Sequence, residues 1–149
     1  MTGKEKGILV PVLVGLFHFL IFVVIASMAL YYVSGIHPDL EKVFQMAFPY
    51  VVVFGTLITF SAVATSYFDK GEFLRLGSGV GKAFCFLAYG IGIYNSLDLS
   101  IHIENFVADV TFPGLLALKV TLIIFYGGYF VLEYFLYSKE REEEETLYL

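Results

Sequence analysis

The chain has 149 residues, of which 58% are hydrophobic and only 15% are charged, and its formal net charge is −5. A soluble globular domain carries roughly 25% charged residues, so this composition excludes an ordinary soluble domain. The charged residues cluster between long apolar runs, which predicts a single domain embedded in a lipid bilayer. The sequence has no basic stripe of the kind that binds phosphate backbones, so a nucleic-acid partner is not expected.

Four apolar runs are long enough to cross a hydrocarbon core of about 30 Å as helices. They cover about residues 8–33, 43–68, 76–97 and 112–137. The third run reaches this length only with Lys82 inside it, where a lysine can extend its ammonium group toward the interface. The predicted fold is an all-α integral membrane protein, a bundle of four transmembrane helices.

The basic residues predict the orientation of this bundle. Lysines and arginines lie mainly before the first run, between the second and third, and after the fourth. Because such residues favour the cytoplasmic side, both termini are predicted to be cytoplasmic. Residues 138–149 then form an acidic cytoplasmic tail. This tail is either a solvated helix end or a docking arm for a basic cytoplasmic partner.

The segment between the third and fourth runs has a different periodicity. Apolar and polar residues alternate over 97–104 and again, less regularly, over 106–112, which is the period of a β-strand. The favoured prediction is a short β-hairpin on the outer face. An interfacial amphipathic helix is the alternative, because apolar residues three or four apart would also share one face.

Small residues mark the helix faces that are predicted to pack against each other. Membrane helices approach closely where side chains are small, because the lipid supplies little hydrophobic drive between them. The candidates are Gly55, Thr59, Ala62 and Ser66 on the second run, and Gly90, Gly127 and Gly128 on the third and fourth. A polar lining to a water path is the alternative for the set on the second run.

Four ionisable side chains fall inside the predicted helices, and such residues are candidates for an ion path or for buried charge. They are His18, Lys82, Lys119 and Glu133. His18 lies about 15 Å into the first helix by helix rise, where a neutral imidazole bonded to a neighbouring helix is expected. Lys82 and Glu133 are predicted at similar depths and are expected to form an ion pair. A proton or ion relay is the alternative.

The sequence contains no nucleophile–base arrangement, carboxylate pair or metal-ligand spacing, so no enzyme activity, cofactor or metal is predicted. The predicted function is a non-catalytic membrane subunit that self-assembles or docks with other membrane subunits. One alternative is a small oligomeric channel or transporter for ions or solutes. A second alternative is an intramembrane enzyme that acts on a lipophilic substrate.

Overall fold

The computed structural model describes the backbone of residues 7–36, 38–96, 100–103, 106–109 and 113–147, and side chains within 7–36, 40–96 and 117–140. The helices are α1 (Leu9–Phe19), a π-helical segment (Leu20–Ile25), α2 (Ala26–Ser34), α3 (Pro38–Tyr67), α4 (Phe73–Ser96) and α5 (Pro113–Leu147). The strands are β1 (Ser100–Ile103) and β2 (Phe106–Asp109).

Within these described residues, four helices are long and apolar enough to cross a membrane. Span 1 is Leu9–Ser34, span 2 is Leu40–Tyr67, span 3 is Phe73–Ser96 and span 4 is Ala117–Glu140. Span 1 combines α1, the π-helical segment and α2 into one helix. The sequence-based prediction of four such helices is confirmed, with ends that differ by a few residues.

Prolines begin two of the helices. Pro38 and Pro113 are the first residues of α3 and α5, where the missing N–H costs little because the first amides of a helix have no intrahelical partner. Pro49 lies inside α3 and removes one backbone hydrogen bond there. Helix α3 nevertheless runs on to Tyr67, and interior prolines of this kind are tolerated in membrane helices.

Helix α3 lies at the centre of the fold. It packs against the helices of span 1 and against α4, while α5 packs against α4. A stripe of fully buried residues runs along α3, and it consists of Val43, Ala47, Val51, Ile58 and Ala62. Their spacing of four or seven residues places them on one side of the helix. No extended interface joins α1 to α5 among the described residues, so the four helices form an open bundle.

A pair of short strands lies between α4 and α5. Strands β1 and β2 pair antiparallel, with Ser100 opposite Asp109 and Ile103 opposite Phe106. They fall in the segment where the sequence favoured a hairpin over an amphipathic helix. Residues 104–105, between the strands, lie outside the described residues, and the placement of the strands on an outer face remains a prediction.

Helix α5 is longer than the apolar part of its sequence. The predicted apolar run ends at Tyr137, whereas α5 continues to Leu147. The ten residues beyond this run include the four consecutive glutamates of the predicted acidic tail. At 1.5 Å per residue they lengthen the helix by about 15 Å.

Candidate functional site

Helices α4 and α5 run antiparallel and meet along a seam that contains the two buried charged side chains of the described residues, Lys82 and Glu133. Contacting residues recur every three or four positions, with numbers that rise along α4 and fall along α5. The successive contacts of this α4–α5 seam are Gly71 with Tyr137, Arg75 with Glu133, Gly79 with Phe130, and Lys82 with Tyr126. At Gly79 a Cβ would overlap the Phe130 ring, so glycine is what allows the two helices to approach here.

Arg75 and Glu133 form a bidentate ion pair in this seam. Arg75 Nε donates to Glu133 Oε2 at 2.9 Å, and Nη2 donates to Oε1 at 3.1 Å. The side chain of Glu133 is only 3% exposed and that of Arg75 is 17% exposed. Tyr129, one turn before Glu133 on α5, donates its hydroxyl to the same carboxylate at 3.1 Å. Such a planar, charge-assisted contact fixes both distance and orientation.

Arg75 also binds the end of the preceding helix. Its Nη1 donates to the carbonyl oxygens of Thr65 at 2.7 Å and Phe68 at 3.1 Å. The last carbonyls of a helix lack intrahelical donors, and a cation near them is favourable. One guanidinium therefore joins the end of α3, the start of α4 and the interior of α5. We call these contacts of Arg75 with Glu133 and with the end of α3 the clamp, because they hold three helices together.

Lys82 and His18 form the second buried polar contact. Lys82 Nζ lies 3.1 Å from His18 Nε2, and His18 Nδ1 lies 2.8 Å from the carbonyl oxygen of Val14. Lys82 is 7% exposed. His18 is the tenth residue of span 1, counted from Leu9, and Lys82 is the tenth residue of span 3, counted from Phe73. The contact places the two residues at the same height in the bundle.

Aromatic rings enclose the ammonium group of Lys82. Nζ lies 5.8 Å from the centroid of Phe86 and 5.7 Å from that of Tyr126. Cations within about 6 Å of a ring face are attracted by its quadrupole. The Phe22 ring packs edge-on against Phe86 and close to the His18 ring. The charge is thus surrounded by polarisable groups and one imidazole.

Tyr126 connects this contact to the clamp. Its ring faces Lys82 and packs edge-on against Phe130, which packs edge-on against Tyr129. Tyr129 in turn donates to Glu133. Packed aromatic rings therefore extend from the Lys82–His18 contact to the clamp.

The π-helical segment of span 1 lies beside these groups. A π-helical turn leaves a carbonyl without its usual donor, and such turns are frequent at functional sites. The carbonyl oxygen of Phe22 accepts a hydrogen bond from the Tyr89 hydroxyl at 3.2 Å. A Cβ at Gly55 would lie 2.7 Å from the same oxygen, so α3 approaches the segment closely there. Two helices thus contact span 1 at its irregular turn.

The predicted ion pair between Lys82 and Glu133 is wrong. Glu133 pairs with Arg75, and Lys82 contacts His18. A Lys82–Glu133 contact would need α5 to shift by seven residues along the seam, or about 10 Å. Lys119 is exposed near the start of span 4, about 21 Å along α5 from Glu133 by helix rise, so it is not part of this polar group.

The predicted small-residue faces divide into two groups. On α3, Gly55 contacts span 1 and Ala62 is fully buried. Thr59 and Ser66 donate to the carbonyls of Gly55 and Ala62, so their hydroxyls are bonded within the helix. On α5, a Cβ at Gly127 would lie 3.3 Å from Ala83. A Cβ at Gly90 or Gly128 would meet no atom within 4 Å.

Several functional candidates lacked a clear signal in the sequence. Arg75 follows the turn after span 2, and it reads there as an ordinary cytoplasmic cation. Tyr89, Tyr126 and Tyr129 are three of eleven tyrosines, and membrane proteins use many at interfaces. For the contact of His18 with Lys82, the sequence showed only that both are ionisable residues inside apolar runs.

A groove lies on the opposite side of α4 and α5 from these polar groups. It has a volume of about 220 Å³, and its lining is almost wholly apolar. The lining residues are Val80, Ala83, Phe84, Leu87, Ile123, Ile124, Gly127, Gly128 and Val131. Gly128 is exposed in it. A large side chain could enter this groove from outside.

The chain shows no match to a protein-family model, to a curated protein or to a solved structure. Among the described residues, no group of three or more His, Cys, Asp or Glu side chains could hold a metal ion. Every buried side-chain nitrogen or oxygen in that part of the chain has a hydrogen-bond partner. The features of the described residues that bear on function are the clamp, the Lys82–His18 contact and the groove.

Proposed function

We propose that the chain is a multi-pass integral membrane protein with both termini on the cytoplasmic side. The four long apolar helices support insertion into a membrane. An even number of crossings would return the chain to its starting side, so both termini would share one side. Exposed large apolar side chains on spans 1 and 4 support it further, because water would not tolerate so many together.

Labelling with an impermeant thiol reagent tests this topology. Cysteines placed at Thr2 and at Leu149, on a Cys85→Ser background, should remain unlabelled in intact cells and react after permeabilisation. Labelling of either end without permeabilisation would overturn the orientation.

We further propose that the protein is a non-catalytic subunit that assembles with copies of itself or with other membrane subunits. The groove between α4 and α5 carries this proposal. Its glycines allow a helix backbone to approach, and small residues of this kind drive helix association in lipid. Among the described residues, α5 packs extensively only against α4, so most of its apolar surface is available.

Gly128→Leu tests the assembly. A side chain at Gly128 meets open space, so the variant should fold normally while its leucine fills the groove. Gly90→Leu is the matched control, because it also enters open space but lies outside the groove. Native mass measurement in mild detergent should show a smaller assembly for Gly128→Leu than for Gly90→Leu. An unchanged mass in both variants, or a monomeric parent protein, would remove the groove from the proposal.

The acidic continuation of α5 supports a docking arm for a basic cytoplasmic partner. Helical structure continues through the glutamate run, which would present the charges on a stiff element. A pull-down with the full chain and with a chain truncated after Ser138 tests this function. Loss of a basic partner on truncation is expected, and identical partners in both would leave the arm as a solvated helix end.

Passage of ions or solutes is a second candidate, and the Lys82–His18 contact favours it. Ionisable groups in the interior of a membrane helix are costly, and they commonly line substrate or proton paths. Purified protein in liposomes should then show flux that disappears in His18→Ala. Absence of flux in the parent protein would leave the subunit as the proposed function.

A further inference from the structure

The hydrogen bonds of His18 define which ring nitrogen carries a proton. The carbonyl oxygen of Val14 can only accept, so Nδ1, at 2.8 Å, is the donor. In a neutral ring, Nε2 is then left with a lone pair that points at Lys82 Nζ, 3.1 Å away. His18 thus offers Lys82 an acceptor.

The short distance limits the charge of the pair. If both groups were protonated, two donors with like charges would face each other at 3.1 Å with no acceptor between them. Like charges this close cannot both persist away from water, and such groups titrate as a coupled pair. The pair therefore holds either one positive charge or none, and the two states differ by a single proton.

No carboxylate neutralises this charge among the described residues. Glu133 on α5 is bound by Arg75 and Tyr129, and residues 43–68 on α3 contain no charged side chain. Tyr126 of α5 and His18 of α1 are the titratable groups that contact Nζ from other helices. On α4 itself, Arg75, Cys85, Tyr89 and Tyr94 are the other titratable groups. The rings of Phe86 and Tyr126 stabilise the cation without removing its cost.

We propose that His18 and Lys82 form a binding site for one exchangeable proton inside the helix bundle. On binding, the lone pair of the Lys82 amine forms the new N–H bond, and the ammonium donates to His18 Nε2. On release, that N–H bond breaks, its electrons return to Nζ and the proton leaves to water. The remaining amine still donates an N–H to Nε2, so the contact persists in both states.

Tyr126 faces Nζ, and Arg75 and Tyr129 bind Glu133 nearer the end of span 4. The site goes beyond the proposed functions, because a subunit and a transporter could both contain it. A subunit would use it to sense pH, and a transporter would use it to carry protons.

The test is ¹⁵N magnetic resonance of the full chain in lipid nanodiscs, with histidine and lysine labelled. A His37→Gln/His102→Gln background leaves His18 as the one histidine signal. From about pH 5 to about pH 10, a range that covers ordinary histidine and lysine titration, His18 Nε2 and Lys82 Nζ should shift together with one midpoint. His18 should keep its proton on Nδ1 throughout.

Lys82→Arg is the matched control, because a guanidinium retains the charge but does not release its proton. The shared step should disappear in this variant. Titration of His18 with an unchanged midpoint in Lys82→Arg would overturn the proposal, since the proton would then belong to His18 alone. Absence of any step in the parent protein over this range, or a doubly charged pair, would overturn it as well. Liposome flux is measured separately, so failure of transport leaves this result unaffected.

Discussion

The Arg75–Glu133 pair is the interaction whose loss should destabilise the fold most, and Glu133→Ala tests this. The substitution removes three hydrogen bonds from the seam, two from Arg75 and one from Tyr129. Breaking a buried ion pair in a soluble protein costs about 3–5 kcal/mol. Interhelical hydrogen bonds in a membrane protein average only about 0.6 kcal/mol and reach about 1.7 kcal/mol.

The contacts of Arg75 and Glu133 indicate where the free-energy cost of Glu133→Ala lies between these two ranges. Arg75 keeps two carbonyl acceptors at the end of α3 when Glu133 is lost, so its charge retains partners. The lost contact is bidentate and charge-assisted, which makes it stronger than neutral bonds. We therefore expect Glu133→Ala to lower the free energy of unfolding by about 3 kcal/mol. Arg75→Met should cost at least as much, because the two carbonyls lose their donor too.

Reversible unfolding in mixed micelles, titrated with SDS and followed by circular dichroism, measures these free energies. The Arg75→Met/Glu133→Ala cycle should give a coupling free energy of at least about 1.5 kcal/mol. The matched control is the Lys82→Met/Glu133→Ala cycle, which should be additive to within about 0.5 kcal/mol because the two residues do not touch. Stronger coupling of Glu133 to Lys82 than to Arg75 would refute the register of the seam.

Three further substitutions test the packing by the same unfolding measurement. A Cβ at Gly92 would overlap the Tyr50 ring, so Gly92→Ala should destabilise by about 1–3 kcal/mol. Gly90→Ala, in open space two residues earlier, should stabilise the helix by about 0.5–1 kcal/mol, and equal effects of the two would contradict this packing. Tyr89→Phe removes the hydrogen bond to Phe22 at the π-helical segment and should cost about 0.6–1.7 kcal/mol, whereas no loss would show that this bond adds nothing.

The four helices could be predicted from the sequence because the bilayer imposes a simple rule. Every backbone polar group must be bonded internally over about 20 residues, so long charge-free runs indicate helices directly. The ends of the helices are predicted less accurately. Helix α4 begins at Phe73 instead of near residue 76, because the charge of Arg75 favours a loop there in the sequence. Charge alone does not show that an arginine can be buried with a partner.

The partner of Glu133 could not be predicted from depth alone. Lys82 and Arg75 are seven residues apart, so they lie on the same face of α4 and differ by about 10 Å in height. An error of two turns in the register of α5 exchanges one partner for the other. The register depends on Gly79, where the Phe130 ring occupies the space of the missing side chain. This fit between two residues 51 positions apart has no local signature in the sequence.

The position of Arg75 has a consequence for the biosynthesis of the protein. Arg75 and Glu133 are 58 residues apart, so the ribosome makes the arginine well before the carboxylate that receives it. Span 3 is also the least apolar of the four helices. In the membrane protein that we propose, its early entry into lipid would leave a guanidinium without Glu133. Spans 3 and 4 are therefore expected to leave the translocation channel together, whereas the more apolar spans 1 and 2 can enter the bilayer one at a time.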